Sequence, residues 1–202
     1  SESVEVAIKL ARTHAIRKDP DKRVMVSFEG GFHGRTYAAQ LAGGALGGAD
    51  WVDPNPHFVQ VPFPGSIDTA DRCFDVFPGR LAELGIRPGQ VAGVIGETFQ
   101  GREARLMPID YACSLREWCD RNDAALIFDE VQAGFGRTGR MFAFEHYGIV
   151  PDMICCGKGI TSSLPLSAVI GSSCYLDLYG PGEMTSTHTG SPLPAVSALA
   201  SI

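Results

Sequence analysis

Apolar residues along the chain recur at two alternating spacings. Val4, Ile8, Ala11 and Ala15 repeat every three to four positions, with Glu5 and Lys9 one turn apart among them, which predicts a helix over 2–17. Short β-rich runs follow at 23–28 (RVMVSF), 57–61, 91–95, 124–128, 152–156 and 167–170. Gly30-Gly31 closes the first run, and a helix is predicted from Arg35. Ser66 is read as the cap of a helix reaching Leu84, Pro88-Gly89 as a turn, and Asp110 as the N-cap of a helix reaching Arg121. Pro192 to Ile202 reads as a further helix. Strands that alternate with helices, without repeats or low-complexity linkers, predict an α/β domain on a mainly parallel sheet with flanking helices. In such sheets ligands bind at the carboxyl ends of the strands.

Polar residues collect at those ends: Glu29 after the first run, Glu97 after the third, Asp129 after the fourth and Lys158 after the fifth. The stretch ALIFDEVQAGFGRTG, 125–139, is the sharpest case, because an apolar run ends on two acids. An ionised carboxylate is costly to bury unless a cation or a set of donors meets it. Strand alternation sends Asp129 and Glu130 to opposite faces. Downstream, Gly157-Lys158-Gly159 sets a lysine between two glycines directly after an apolar strand. Glycine lets the backbone turn sharply and approach a ligand. A lysine held in a desolvated site can act as an amine nucleophile or Schiff-base former.

Charge and composition narrow the field. The 202 residues carry a net charge of -6 and no Lys/Arg cluster, so neither nucleic acid nor an anionic membrane is an expected partner. No apolar stretch reaches transmembrane length. The six cysteines form no CxxC pair and sit mostly in apolar stretches, so they are read as buried free thiols of a reducing compartment, with a cytoplasmic location. The five scattered histidines offer no metal-binding spacing, and no metal is expected. Ser1 stands in the first turn of a helix and 192–202 lacks a cap, so the chain reads as the middle of something longer.

A carboxylate at one strand end and a lysine at another suit pyridoxal phosphate, which needs a lysine for its aldehyde and an acid for its pyridinium nitrogen. On that reading Asp129 is buried because a cofactor cation meets it.

Several segments, in order, resemble the class III (ω-amino acid type) aminotransferases of the pyridoxal-phosphate-dependent transferase fold type I. Ser1 to Arg12 resembles the phosphate-loop helix of that family. Phe32-His33-Gly34-Arg35-Thr36 resembles its aromatic-His-Gly-Arg turn, and Gly96-Glu97-Thr98-Phe99-Gln100-Gly101 its Glu-Pro-x-Gln-Gly segment. Phe128 to Gly139 is similar to its most specific signature. Gly157-Lys158-Gly159 with Leu164 to Ala168 matches its lysine loop, and Ser186 to Pro192 resembles its Thr-x-Gly-Gly-Asn-Pro stretch. The resemblance spans essentially the whole chain. It implies that residues 1–202 are a partial cofactor-binding large domain, with an N-terminal segment and a C-terminal small domain lying elsewhere.

The family roles carry over residue by residue. The resemblance implies that Lys158 forms a Schiff base with the cofactor and shuttles a proton, and that Asp129 pairs with the pyridinium nitrogen. Val131 and Phe32 would pack on the two ring faces, and Gln132 would hydrogen-bond near the phenolic oxygen. Glu97 would stand behind them, holding Gln132 or a nearby group. Ser1 would lie at the phosphate, at a helix N-terminus where anions are favoured, and His33 belongs with the cofactor-binding residues. Thr187 would reach the phosphate of the neighbouring subunit, which implies a homodimer.

The implied reaction is transamination, from an ω-amine or amino acid donor to a keto acid. Racemisation or decarboxylation on the same scaffold, or a non-catalytic module derived from such an enzyme, are the alternatives. Two departures stand out. Arg102 occupies the position where ω-aminotransferases usually carry a glutamate after Gln-Gly, and His188, Thr189 and Ser191 alter the last motif.

Overall fold

The computed structural model describes residues 1–44, 50–64 and 72–202. Six strands form one sheet in the order β2-β1-β3-β6-β7-β8. They are β1 (Val24–Phe28), β2 (Phe58–Val61), β3 (Val91–Glu97), β6 (Ala125–Asp129), β7 (Met153–Cys156) and β8 (Ala168–Gly171). All neighbours pair parallel except β7 and β8. A two-stranded antiparallel hairpin, β4 (Phe99–Gln100) with β5 (Arg105–Leu106), hangs off the end of β3. The mainly parallel α/β architecture is the one that the hydrophobic pattern predicts.

Strands β1, β3, β6 and β7 are buried at every position because helices cover both faces of the sheet. The edge strands β2 and β8 are only partly buried. On one face, α1 (Glu2–Lys18) sets Val4, Ile8 and Ala11 against Met25, Ile95, Ile127 and Met153. On the other, α3 (Val76–Glu83) and α4 (Ile109–Arg121) set Phe77, Leu81, Leu115 and Trp118 against Val26, Val94, Leu126 and Phe128. The alternation along β6 therefore fixes the faces beyond it: Asp129 follows Ile127 toward α1, and Glu130 follows Phe128 toward the α4 side. Gly96 makes room in the middle of this packing, since a methyl group there would stand 2.8 Å from the ring of Phe28.

The helix starts differ from expectation in two places. The N-cap of α4 is Pro108, whose φ of -62° and ψ of 145° give the extended backbone that position requires, and Asp110 lies inside the first turn. There its charge still suits the positive end of the helix dipole. The helix expected from Arg35 begins at Tyr37 as α2 (Tyr37–Ala42), with Thr36 as N-cap. The proposed Ser66 cap lies outside the described residues, and α3 covers only the end of the helix expected there. The short α5 (Ser173–Leu176) and α6 (Pro192–Ser201) complete the order. All six cysteines are free; Cys119, Cys155 and Cys156 are buried, Cys113 is half-buried, and Cys73 and Cys174 are exposed rather than buried as their surroundings suggested. No described helix is long and apolar enough to cross a membrane.

Candidate active site

Parallel pairing brings three chemically distinct ends to one level. In the sheet register Glu97 is the partner of Asp129, and Asp129 is the partner of Cys155, three residues before Lys158. Asp129 is 4% exposed. Its Oδ2 lies 2.8 Å from His33 Nδ1, and its Oδ1 accepts the Val131 N–H at 3.1 Å. An ionised carboxylate only accepts, so Nδ1 is the donor in that contact. Nε2 of His33 is buried without a hydrogen-bond partner among the described residues. No lysine or arginine forms an ion pair with Asp129 among those residues; its one such contact is the imidazole.

Glu97 is also buried. Its Oε2 accepts the Phe32 N–H at 2.9 Å. Burial raises its pKa above the ordinary glutamate range; the neighbouring imidazole of His33 and the backbone N–H groups of Phe32 and Gly101 oppose the rise, and the nearby Asp129 adds to it. Glu97 thus holds the backbone of Phe32 and not the side chain of Gln132. The Phe32 ring itself is 47% exposed, with the Arg35 guanidinium 5.7 Å from its centroid.

Gln132 rests instead on Gly101, where a methyl group would stand 2.0 Å from its Oε1. Any larger residue at 101 would displace it. Gln132, Val131, Phe135, Arg137 and Lys158 line an open cleft of about 730 Å³. Among the described residues its charged lining groups are Lys158 and Arg137, both cationic. Lys158 sits between its two glycines with φ of 42°, in the left-handed region that costs a non-glycine residue energy. Its side chain is exposed, and its ammonium has no hydrogen-bond or ion-pair partner among the described residues.

Ser1 is the N-cap of α1, and its Oγ accepts the Arg35 N–H at 3.2 Å. Gly34 allows that approach, since a methyl group there would stand 2.5 Å from Ser1 Oγ. The start of α1 therefore abuts the turn that carries Phe32 and His33. Thr187 is different: it is exposed, and no hydrogen bond among the described residues joins it to the other predicted site residues. Among the described residues no group of three or more potential metal ligands converges.

Two participants were not singled out from the sequence. Arg137 lies within a quoted motif, but nothing in the spacing told it apart from a surface arginine. Strand alternation gives Glu130 a direction only; its partners, the backbone N–H groups of Ala143 and Phe144, lie in a turn with no pattern of its own.

Comparison with known proteins identifies the family of the chain. The chain is 36% identical over its whole length to an acetylornithine aminotransferase of Methanopyrus kandleri and 36% identical to a 2-aminoadipate transaminase of Pseudomonas putida. In each case it spans 48% of the relative, so the chain is about half as long as the curated relatives it matches. A crystal structure of an amine transaminase from an uncultivated Pseudomonas species, in its PLP-bound form, superposes with a TM-score of 0.83 at 29% identity. That alignment covers 98% of this chain and 49% of the other. Since the family described as aminotransferase class-III matches from residue 1 to residue 202, the chain belongs to the class-III aminotransferases.

Proposed function

We propose that the protein to which these residues belong catalyses pyridoxal-phosphate-dependent transamination, moving an amino group from an amine or amino acid donor to a keto acid. The observation that carries this reading is Asp129, a buried carboxylate with no lysine or arginine partner among the described residues, at the same sheet level as a lysine loop. Its lone pairs are met by one N–H and one imidazole, which leaves acceptor capacity for a further N–H donor. That free acceptor capacity fits the pyridinium N–H of pyridoxal phosphate. The cationic, glycine-rich cleft beside it fits an aldehyde and an anion.

When bound, the cofactor supplies an electron sink for the substrate carbon. The residues would divide the work of holding it. Asp129 fixes a positive charge at the sheet end, with His33 holding the carboxylate in place. Glu97 sets the Phe32 backbone so that its ring can cover one side, while Val131 covers the other. Gln132, seated on Gly101, offers an amide to a ring oxygen. Ser1 and the N-terminus of α1 favour an anion. Lys158 provides the amine for covalent attachment and, when freed, carries a proton at Nζ.

On the same reading the 202 residues form the cofactor-binding large domain, and Thr187 serves the site of a neighbouring subunit in a homodimer. Its exposure, with no hydrogen bond to the other predicted site residues among the described residues, supports that role. Borohydride reduction of the longer protein after incubation with pyridoxal phosphate, followed by peptide mapping, tests the assignment. A label confined to Lys158 and formation of keto product from an amine donor are expected. Label without keto product would favour racemisation or decarboxylation, and no label at Lys158 would remove the reading altogether.

A further inference from the structure

Glu130 has no part in the chemistry above, yet it is 0% exposed. Its Oε2 accepts the Ala143 N–H and its Oε1 the Phe144 N–H, both at 2.9 Å. Its backbone carbonyl accepts the Gly134 N–H at 2.8 Å. One residue therefore fastens two segments: the 130–134 turn that forms the cleft wall, and the 3-10 turn at Ala143–Tyr147.

The rings on either side of those contacts form a column. Phe142 and Phe144 stack with centroids 6.0 Å apart at 13°, and Phe135 meets Phe142 edge-on at 5.4 Å and 70°. Phe135 is held at φ of 56°, a conformation that the surrounding contacts must impose. At its far end the column reaches the lysine loop, since a methyl group at Gly159 would stand 3.0 Å from Phe135 Cβ. A continuous line of contact thus runs from the Glu130 carboxylate to the residue after Lys158.

We propose that Glu130 is a positioning residue, which sets the seat of Lys158 by fixing the 142–144 turn on which Phe135 bears and, through Phe135, the Gly159 backbone. The inference rests on Lys158 being the reacting amine. A carboxylate is the side chain this requires. Two convergent N–H donors need two acceptor oxygens, and a glutamine would turn its own NH₂ against one of them. Burial raises the pKa of Glu130, and the two donors oppose that rise.

The test uses the full-length protein with Glu130→Gln, Phe135→Leu and the double variant, and Leu115→Ala in the core as a control for destabilisation. The first readout is the rate at which trinitrobenzenesulfonate arylates Lys158 in cofactor-free protein, followed by peptide mapping. The second is kcat and KM separately. Each single variant is expected to change the arylation rate by about threefold or more and to lower kcat by about 10- to 100-fold, with KM nearly unchanged, as a misplaced group would. The double variant is expected to be no worse than the worse single one, because both act through one column. Leu115→Ala is expected to lower the melting temperature without altering arylation.

An arylation rate in Glu130→Gln equal to that of Leu115→Ala, or independent multiplying effects in the double variant, would overturn the proposal. Should Glu130→Gln fail to fold, Phe135→Leu decides alone: unchanged arylation sinks the column. Altered arylation in a protein that never attaches cofactor at Lys158 would leave the positioning role standing and remove the functional reading instead.

Discussion

At the carboxyl ends of β3 and β6 the acids are answered by the chain's own donors: Asp129 by His33 and the Val131 N–H, Glu97 by the Phe32 N–H, Glu130 by two N–H groups of one turn. At Lys158, and again from Gly182 to Ile202, the opposite holds. Lys158 and Thr187 are exposed, and α6 turns Leu193, Val196 and Leu199 to solvent. One region is tied to the sheet and inherits its register, so its groups are placed before any ligand arrives. The other is tied down at few points, such as the Ser197 hydroxyl donating to the Thr161 carbonyl at 3.0 Å. Preorganised charge in the first region and free reach in the second are the two things a site needs if it is to hold a cofactor firmly and exchange substrates.

The contrast is broken most directly at its two extremes. Lys158→Ala is expected to abolish covalent attachment of pyridoxal phosphate completely, measured by mass after borohydride reduction. It should leave the melting temperature almost unchanged, because the side chain contacts little. Asp129→Asn is expected to keep the attachment but to lower turnover by about 100-fold or more, since it removes a charge that cannot be replaced by rearrangement in a buried, preorganised site. Full activity in Asp129→Asn would show that the buried acid serves the fold alone.

A smaller effect sharpens the picture of the tied region. The pKa of Glu97 is raised by burial from its ordinary 4.5. The folded state therefore holds this proton to higher pH than the unfolded chain does. Its contribution to stability is fully present below the ordinary value, declines as pH rises to the raised one, and is flat above. Glu97→Gln keeps an acceptor for the Phe32 N–H and cannot titrate. The stability of the wild type relative to Glu97→Gln, from urea unfolding, is expected to fall with rising pH across that window, by at most about 1.4 kcal/mol per pH unit. A difference that does not vary with pH would mean that the acid is not desolvated in solution.

How far the sequence carries the reader differs between the same two regions. The strands, their mainly parallel pairing and the common level of Glu97, Asp129 and the strand end that leads to Lys158 follow from apolar runs that end in polar residues, because register converts position along a strand into place at the sheet end. Even the opposed directions of Asp129 and Glu130 follow from alternation. The β4–β5 hairpin was not legible, since two-residue strands carry no periodicity. Nor was Gln132 lying on Gly101, or Glu130 capping a turn at 143–147: these depend on where loops return in space, and loops have no repeat to read. Asp110 was read as a cap because acids favour that position, whereas the backbone angles of Pro108 decided it.

The smallest effect concerns the exposed face of α6. Leu199 is 81% exposed, while Leu115, on the inner face of α4, is fully buried in the core. Removing most of Leu115 in this chain should cost about 2–5 kcal/mol. Leu199→Gln should stay within about 0.5 kcal/mol, because no packed surface is lost. The measurement is chemical unfolding of both variants beside the wild type. If Leu199→Gln cost as much as a core truncation in this chain, α6 would be packed within it, and the second region would be as firmly built as the first. If the same substitution is silent here and destabilising in the longer protein, the face is covered there. The apolar spacing of Leu193, Val196 and Leu199 would then belong to an interface, in keeping with the proposed role of Thr187 at a neighbouring site.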